Sequence, residues 1–271
     1  MRWPTYHTGK ALRMSRLFQA DGRSVVFTID HGKVAGAMRG MEDAGATLAW
    51  ALESHTDAVL LNPGVFKRHV DLWQRRPSPG VVLALDVHLT GTLPGVSAGR
   101  QAYRLLSSVN EAMALGADAV KVVLVFGRSD LEVHAENHRL VAEAIREADV
   151  IGMPVIVEPT LWGDAIAADA KNDPAAIPHI CRIAVELGAD AIKTPYAEGV
   201  FADVCRQLPV PVTVMGGAKL DSTDALYAWA RQIVDEGVAG LIVGRNVWQH
   251  DDPVTVWREL NRVFHPDLEL V

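Results

Sequence analysis

Cysteine, long apolar runs and excess positive charge are all scarce in this chain. The 271 residues include two cysteines, Cys181 and Cys205, which lie far apart and match no disulfide or zinc spacing. No uninterrupted apolar run approaches the roughly 18 residues that span a bilayer, and the start lacks the apolar segment of a secretory signal. The net charge of −7 provides no basic excess for nucleic acids or anionic membranes. We therefore expect a cytoplasmic protein with no nucleic-acid and no membrane partner.

Short apolar or β-branched runs recur along the chain, and the segments between them have helical spacing. A nearly continuous apolar run is typical of a parallel strand that is buried on both faces. One (β/α)8 barrel usually takes about 250 residues, so the sequence predicts an α/β fold with a single (β/α)8 TIM barrel domain over residues 1–271. The eight predicted strands are Val25–Asp30, Ala58–Leu61, Val81–Val87, Ala119–Val125, Val155–Glu158, Ala191–Thr194, Val212–Met215 and Leu241–Val243.

The residues ahead of Val25 predict a short N-terminal extension, a helix or plug over the bottom of the barrel that includes Trp3 and Tyr6. A doubly wound open sheet is the main alternative architecture. Its dinucleotide site would need a Gly-x-Gly-x-x-Gly turn after the first strand, and the sequence has none there. The closed barrel is therefore favoured.

A six-residue segment occurs twice, as Gly-Ala-Asp-Ala-Val-Lys ending at Lys121 and as Gly-Ala-Asp-Ala-Ile-Lys ending at Lys193. Both lysines come at the same phase of a strand, and alternate strands of a barrel share interior layers. Burying two cations side by side is costly, because each is desolvated and the two repel each other. We interpret the pair as chemistry by an amine. Glu158, on the strand between them, would face the same space.

Activation of a lysine explains why two amines would share a cavity. A lysine with an ordinary pKa near 10.4 is almost wholly protonated at neutral pH and cannot attack a carbonyl. A neighbouring ammonium and partial desolvation would lower that pKa, and three units need roughly 4 kcal/mol. Schiff-base formation and carbon–carbon cleavage also need groups that carry protons. Glu158 and Asp30, at the ends of the fifth and first predicted strands, are candidates.

Glycines follow the last two predicted strands, at Gly216-Gly217 and at Gly244-Arg245. Loops at these places in a barrel often hold a substrate phosphate with backbone N–H groups. Arg245 could add a charge-assisted bond to a phosphate or sulfonate. We therefore predict an anion site here. Lys219 could equally face solvent, and a single Gly-Gly pair taken alone is more often a turn.

The residues named so far resemble a known family. The segments Ile29–Gly32, Val214–Lys219 and Val243–Gln249, with the two lysine-ending strands, are similar to the class I, Schiff-base-forming aldolases. That superfamily contains archaeal-type fructose-bisphosphate aldolases, tagatose-bisphosphate aldolases and deoxyribose-phosphate aldolase. The resemblance runs from about Val25 to Pro253. It implies a lyase of carbohydrate metabolism with Lys193 as the Schiff-base lysine and a phosphorylated substrate. We expect no cofactor and no metal, and a homo-oligomer.

One segment departs from the archaeal-type branch. Those enzymes carry Tyr-Pro-Arg-Gly after the fifth strand, with the tyrosine as proton donor, whereas residues 158–163 here read Glu-Pro-Thr-Leu-Trp-Gly. This stretch and the second lysine, Lys121, are closer to the tagatose-bisphosphate and sulfosugar-phosphate aldolase branch. The natural substrate is therefore expected to differ from fructose 1,6-bisphosphate.

Several residues also have purely structural interpretations. Lys121 could neutralise Glu158 as a buried ion pair, and Asp30 could cap a helix. The roles of Asp86 and His88, near the end of the third predicted strand, stay open between substrate binding and structure. His134 and His138 have the i, i+4 spacing of metal ligands, but the charged residues around them indicate a solvated helix. Core or subunit contacts are expected for Trp229, Trp248 and Trp257.

The leading hypothesis is a class I aldolase that reversibly cleaves a sugar or sulfosugar phosphate into dihydroxyacetone phosphate and an aldehyde. A second hypothesis is a thiolase-like acyl transfer on a phosphorylated diketone with the same lysine, as in the quorum-signal-processing members that the chain resembles. A third is a metal-dependent aldolase or isomerase that uses His31, His88 and carboxylates. A non-catalytic sugar-phosphate sensor is the fourth, and the paired lysines argue against it.

Overall fold

The computed structural model describes residues 7–74, 77–89 and 102–267. The described residues form ten strands: β1 Ser24–Thr28, β2 Ala58–Leu61, β3 Gly80–Ala84, β4 Asp86–Leu89, β5 Ala102–Leu105, β6 Ala119–Val125, β7 Val155–Thr160, β8 Ala191–Thr194, β9 Val212–Met215 and β10 Gly240–Val243. Eight of them are parallel and close into a barrel in the order β1-β10-β9-β8-β7-β6-β3-β2, so the predicted (β/α)8 TIM barrel is confirmed.

Helices alternate with the barrel strands and cover the outside of the sheet. They are α1 Thr8–Leu17, α2 Gly32–Ala35, α3 Ala44–Glu53, α4 Pro63–Arg68, α5 Val109–Ala114, α6 Leu131–Ile151, α7 Ile177–Glu186, α8 Phe201–Gln207, α9 Thr223–Asp235, α10 Arg245–Trp248 and α11 Pro253–Phe264, with 3-10 turns at Val70–Trp73 and Ala168–Asn172. None of the described helices combines the length and apolarity that crossing a membrane requires.

Alternation along the strands decides which side chains enter the barrel. Ala119, Ile156 and Ala191 belong to the apolar cluster that fills the lower interior. Because side chains two residues apart on a strand share a face, Lys121, Glu158 and Lys193 point into the same interior one step further up. Side chains alternate between the two faces of a strand, and this alternation directs both lysines into the barrel interior, as predicted. The intervening residues face the helices and form the larger outer core.

Helix α1 closes the amino-terminal end of the barrel. Its Met14 and Leu17, with the following Phe18, pack into the interior cluster, so the predicted N-terminal plug is present. A Cβ on Gly80 would lie 2.7 Å from Leu17 and 2.8 Å from the Arg16 carbonyl oxygen, which shows how closely helix and strand approach. Trp3 and Tyr6, which we also placed in this extension, lie outside the described residues.

The aspartates of the repeated segment attach the plug to the barrel. Asp118 and Asp190 accept hydrogen bonds from N–H groups near the start of neighbouring strands, at Val81 and Val155, over 3.0 and 2.9 Å. Their carboxylates also bind Arg16 and Lys10, at 2.8 and 2.7 Å. Asp57 completes this set of three. It accepts from the Val25 N–H at 2.6 Å and from the Gln19 side chain at 2.6 Å.

The prediction of one strand over Val81–Val87 is wrong. β3 ends at Ala84, and the chain then turns into β4, which pairs antiparallel with β5 outside the barrel. The turn is held at Leu85, whose N–H donates to the Lys121 carbonyl while its own carbonyl accepts from Leu106 and Ser107. The apolar pattern continues through this turn, so only these tertiary hydrogen bonds mark it. Asp86 and His88 therefore lie on a hairpin.

Candidate active site

Two buried amines meet at one carboxylate oxygen inside the barrel. The Nζ atoms of Lys121 and Lys193 lie 3.1 and 3.0 Å from Oε2 of Glu158. All three side chains are less than a tenth exposed. Strands β6, β7 and β8 are neighbours in the barrel, so three consecutive strands each contribute one of these groups. The geometry thus brings the two lysines and Glu158 together at the end of the barrel where enzymes of this fold carry their sites.

Lys121 is held by three carboxylates. In addition to Glu158, its Nζ lies 3.6 Å from Asp30 and 3.5 Å from Asp86. Burial works against the ammonium, but the charges of Asp86, Glu158 and Asp30 outweigh burial and raise the pKa of Lys121 far above its ordinary value. Burial likewise opposes the charge of Asp30, yet Lys121 and Lys193 hold its pKa well below the usual range. Both groups therefore stay charged at neutral pH.

Asp86 lies next to Lys121, buried from solvent at 1 % exposure. Its carboxylate accepts a hydrogen bond from the Val123 N–H and contacts Lys121 with its other oxygen. Tyr103 on β5 lies beside it, and burial together with the charge of Asp86 raises the pKa of that phenol. Asp86 is thus placed to hold Lys121 and the hairpin in position. His88 is also buried, and its ring lies parallel to that of Trp162, with centroids 6.4 Å apart.

The glycines after β9 and β10 are required by close approaches of the backbone. A Cβ on Gly216 would lie 2.5 Å from the Val243 side chain, and one on Gly244 would lie 2.7 Å from the Thr28 carbonyl oxygen. Gly217 has a positive φ of 68°, where other residues are strained. The two predicted anion-binding loops therefore lie side by side at the mouth of the barrel.

Asn246, which our sequence reasoning missed, ties these two loops together. Its Nδ2 donates to the carbonyl oxygens of Gly216 and Ala218 at 2.6 and 2.7 Å, and its Oδ1 accepts from the Leu220 N–H at 2.7 Å. The side chain is buried at 1 % exposure. The sequence feature that could have indicated Asn246 is its position directly after Gly244-Arg245.

Arg245 is a half-buried cation beside these loops. In the part of the chain that the structure describes, no carboxylate oxygen lies within 4.0 Å of its guanidinium, and burial lowers its pKa. Lys219 contacts the Gln249 carbonyl at 3.0 Å from an exposed position, as the solvent-facing alternative anticipated. An unneutralised arginine next to two tight glycine turns is typical of a site for a phosphate.

Two further residues near Asp30 were not assigned to the aldolase site from the sequence. The His31 ring lies 3.5 Å from Asp30 and meets the edge of Trp248, and its pKa is lowered, first by burial. Lys33 on α2 is half-buried, and its Nζ lies 3.5 Å from the Ala84 carbonyl oxygen. Burial, and then the charge of Lys121, lower the pKa of Lys33 to about 8. The sequence feature that could have indicated His31 and Lys33 is their position just after Asp30.

The remaining candidates have structural surroundings. Trp257 and Trp248 are buried in the core, and their indole N–H groups donate to the carbonyl oxygens of His55 and Thr28 at 2.7 and 3.1 Å. The rings of His134 and His138 on α6 lie beside Phe126, tilted by 54° with their centroids 4.4 Å apart. Over residues 7–74, 77–89 and 102–267, no three His, Cys, Asp or Glu side chains are grouped as metal ligands would be.

Comparison with known proteins identifies the family and supports the fold. Residues 24–250 match the model of the DeoC/LacD family aldolases. An archaeal fructose-1,6-bisphosphate aldolase, solved with its catalytic lysine bound to the carbinolamine intermediate, superposes with a TM-score of 0.81 at 25 % identity, over 94 % of this chain and 98 % of the other.

Two curated bacterial relatives are each 31 % identical to this chain. One is the 2-amino-4,5-dihydroxy-6-oxo-7-(phosphonooxy)heptanoate synthase of Streptomyces griseus, over 97 % of this chain and 92 % of the relative. The other is the 3-hydroxy-5-phosphonooxypentane-2,4-dione thiolase of Escherichia coli, over 95 % and 82 %.

The barrel and these matches define the class of protein: an aldolase, which is a lyase. Within that class, the chain belongs to the DeoC/LacD aldolase family.

Proposed function

We propose that this protein is a class I aldolase that reversibly cleaves a phosphorylated ketose through a Schiff base on Lys193. The observation that carries the proposal is the shared contact of Lys121 and Lys193 with Oε2 of Glu158 in a buried site. Three carboxylates keep the proton on Lys121, whereas a single carboxylate contacts Lys193 among the described residues. Lys193 is therefore the amine that gives up its proton and reacts.

In the cleavage direction, the neutral Nζ of Lys193 attacks the ketone carbon. The ketone oxygen takes protons and leaves as water, which produces an iminium ion. Removal of the hydroxyl proton across the scissile bond sends the electrons of that bond towards the iminium nitrogen, and the aldehyde departs. The remaining enamine is protonated on carbon and hydrolysed, and dihydroxyacetone phosphate is released.

The carboxylates divide the proton transfers between them. Glu158 contacts both amines and is placed to take the Lys193 proton and to return it during dehydration. Asp30 stays ionised, so its carboxylate would accept a hydrogen bond from the substrate hydroxyl group and then take the proton of that group. Lys121 keeps its charge and stabilises the negative charge that develops on oxygen.

The loops after β9 and β10 support a phosphate on the ketone half of the substrate. Gly216, Gly217 and Gly244 would supply backbone N–H groups and Arg245 a guanidinium. The names of both curated relatives describe a phosphonooxy group on the carbon next to an oxo group. Dihydroxyacetone phosphate has this same end, which supports it as the ketone that this site binds.

Reduction with borohydride in the presence of dihydroxyacetone phosphate tests the Schiff base. We expect irreversible inactivation and one added adduct, which peptide mass spectrometry locates on Lys193. Lys193→Met should give no adduct, whereas Lys171→Met, a change at an exposed lysine on the same barrel, should trap like the wild type. Full activity after this treatment, or an adduct on another lysine, would reject the proposal.

Acyl transfer is the second candidate function, and the similarity to the Escherichia coli thiolase favours it. In that reaction the same lysine would bind a phosphorylated diketone, and coenzyme A would accept the acyl group. Coenzyme A-dependent consumption of such a diketone, with no cleavage of ketose phosphates, would support acyl transfer over aldol cleavage. The cytoplasmic location and the homo-oligomeric state also stay predictions, the latter measurable by light scattering.

A further inference from the structure

Thr160, two residues after Glu158 on β7, has a buried hydroxyl group that the proposed mechanism does not use. The residue is 0 % exposed, and within the described residues its Oγ1 has no hydrogen-bond partner. The other buried threonines of the described residues donate their hydroxyl groups to protein oxygens at 2.6–3.3 Å, and they are Thr28, Thr47, Thr56, Thr194 and Thr213. A buried hydroxyl group without a partner costs free energy, so this exception calls for an explanation.

The side chain of Thr160 faces the same interior as the catalytic groups. Because side chains two residues apart on a strand share a face, Thr160 shares one with Glu158 and Ile156. Ile156 belongs to the apolar cluster inside the barrel. In the pairing of β6 with β7, Glu158 lies opposite Val123 and Thr160 lies opposite Val125. Thr160 is thus one step nearer the mouth than Glu158, roughly 7 Å along the strand.

The position of this hydroxyl group is well defined. β7 pairs with β6 without a break from Val155 to Thr160, and the Thr160 carbonyl oxygen accepts from the Phe126 N–H at 2.8 Å. A threonine side chain is stiff at χ1, and a group on a strand is held more precisely than one on a loop. The hydroxyl group is therefore preorganised for a partner that enters the barrel.

The order of the strands puts Thr160 on the aldehyde side of the proposed substrate. The proposed phosphate loops follow β9 and β10, and Lys193 lies on β8. In the closed barrel the strands follow one another as β10, β9, β8 and β7. A ketose with its phosphate at these loops and its ketone at Lys193 therefore extends its aldehyde half towards β7, where Thr160 lies.

The surroundings of Thr160 favour a neutral partner. Residues 159–163, which follow Glu158, read Pro-Thr-Leu-Trp-Gly and contain no charged side chain. Val125 lies opposite Thr160, and Leu161 beside it is buried. This part of the strand supplies no counter-charge for an anion. An alcohol group fits, because it can donate to a threonine hydroxyl group or accept from it.

We propose that Thr160 is a specificity-determining residue that binds a hydroxyl group on the aldehyde half of the substrate, on the carbon next to the aldehyde carbon. The inference rests on the proposed function, which places the ketone at Lys193. The substrate hydroxyl group supplies the partner that Thr160 lacks in the free protein. A substrate without this group leaves the Thr160 hydroxyl unpaired in the complex and is disfavoured.

Condensation of dihydroxyacetone phosphate with glycolaldehyde and with acetaldehyde tests the assignment. The two acceptors differ only by the hydroxyl group on the carbon next to the aldehyde. Thr160→Val should lower the ratio of kcat/KM for glycolaldehyde to kcat/KM for acetaldehyde by about 5- to 50-fold, the usual effect of leaving a buried hydroxyl group without its partner. Thr160→Ser keeps a hydroxyl group and should retain most of this ratio.

Urea denaturation separates this role from a structural one. Thr160→Val should resist urea at least as well as the wild type, because valine has nearly the same shape and no internal hydrogen bond is lost. Thr47→Val is the matched control on α3. It removes a hydroxyl group that donates to the carbonyl oxygens of Gly40 and Asp43 at 3.0 and 2.9 Å, so it should unfold at lower urea concentration and leave the acceptor ratio unchanged.

An unchanged acceptor ratio in Thr160→Val overturns the proposal. A loss of resistance to urea as large as that of Thr47→Val also overturns it, because the hydroxyl group would then have a partner inside the protein. Borohydride trapping of the wild type with dihydroxyacetone phosphate tests the Schiff base separately. A trapped adduct on Lys193 together with an unchanged acceptor ratio rejects only the assignment of Thr160, whereas the absence of an adduct rejects the proposed function.

Discussion

Lys121 and Lys193 share a single oxygen atom, Oε2 of Glu158, at 3.1 and 3.0 Å from their Nζ atoms. One carboxylate carries one negative charge and cannot neutralise two ammonium groups. Lys121 has Asp30 and Asp86 as additional partners, so it stays charged without Glu158. The proposed mechanism uses Glu158 as the proton acceptor for Lys193 for this reason, and the asymmetry between the two amines comes from the carboxylates around them.

Glu158→Gln should lower kcat by about 10²- to 10⁴-fold, because an amide of the same shape cannot accept the Lys193 proton. Steady-state kinetics with the preferred ketose phosphate measure this, and the rate of borohydride trapping should fall in parallel. Glu132→Gln, at an exposed position of α6, is the control. An unchanged kcat in Glu158→Gln would remove this residue from the proton transfers.

Lys121→Met should destabilise the protein by about 3–5 kcal/mol, since it leaves Asp30 and Asp86 without the buried lysine that they contact and leaves Glu158 with Lys193 alone. The difference in stability between Lys121→Met and the wild type should become smaller at acidic pH. Lys121 lowers the folded pKa of Asp30, so its contribution is present above the ordinary value of 3.8 and disappears as the pH falls towards the folded value. Urea denaturation at neutral and acidic pH measures both effects. Equal stability of variant and wild type would show that the three carboxylates do not depend on Lys121.

The repeated segment shows what a sequence alone can predict in this protein. The period of two along a strand placed Lys121 and Lys193 in one interior, because alternation needs no tertiary information. The same segment contains Asp118 and Asp190, whose role depends on partners in α1 more than 100 residues away, and spacing cannot reveal such contacts. Asp57 belongs to the same set although its strand carries Leu60 where the others carry lysine.

Other features depended on contacts that no local pattern records. The hairpin of β4 and β5 begins directly after an apolar run that ends at Leu85, and its direction is fixed by hydrogen bonds at Leu85. Asn246 acts on backbone groups 26 to 30 residues earlier in the chain. The Lys33 ammonium contacts the carbonyl oxygen of Ala84 at the end of β3, 51 residues away. The strands and the pair of buried lysines are thus predictable from the sequence, whereas the residues that position the loops around them require the fold.

Asn246→Ala should raise the KM for a phosphorylated substrate about tenfold or more and change kcat much less, because it removes three hydrogen bonds that hold the two glycine loops together. Kinetics on the ketose phosphate, with inorganic phosphate as competitor, measure the effect. Asn172→Ala is a control at an exposed position. If kcat falls and KM does not, Asn246 acts on the chemistry rather than on the phosphate loops.

His265 should make the stability of the barrel depend on pH at the end opposite the active site. Its Nδ1 and Nε2 contact Asp21 and Asp57 at 2.7 and 2.9 Å, and the imidazole is fully buried. Burial opposes its charge, but the two aspartates outweigh burial and raise the pKa of His265 above 6.5. A raised folded pKa contributes stability that is complete below pH 6.5 and is lost as the pH rises through the folded value.

His265→Asn should therefore lower the free energy of unfolding by about 1.5–3 kcal/mol at about pH 5.5 and by clearly less at about pH 9, when urea denaturation is compared with the wild type. His179→Asn, at an exposed position, should show no such trend. The same loss at both pH values would mean that His265 contributes packing alone, without the charged pairs to Asp21 and Asp57.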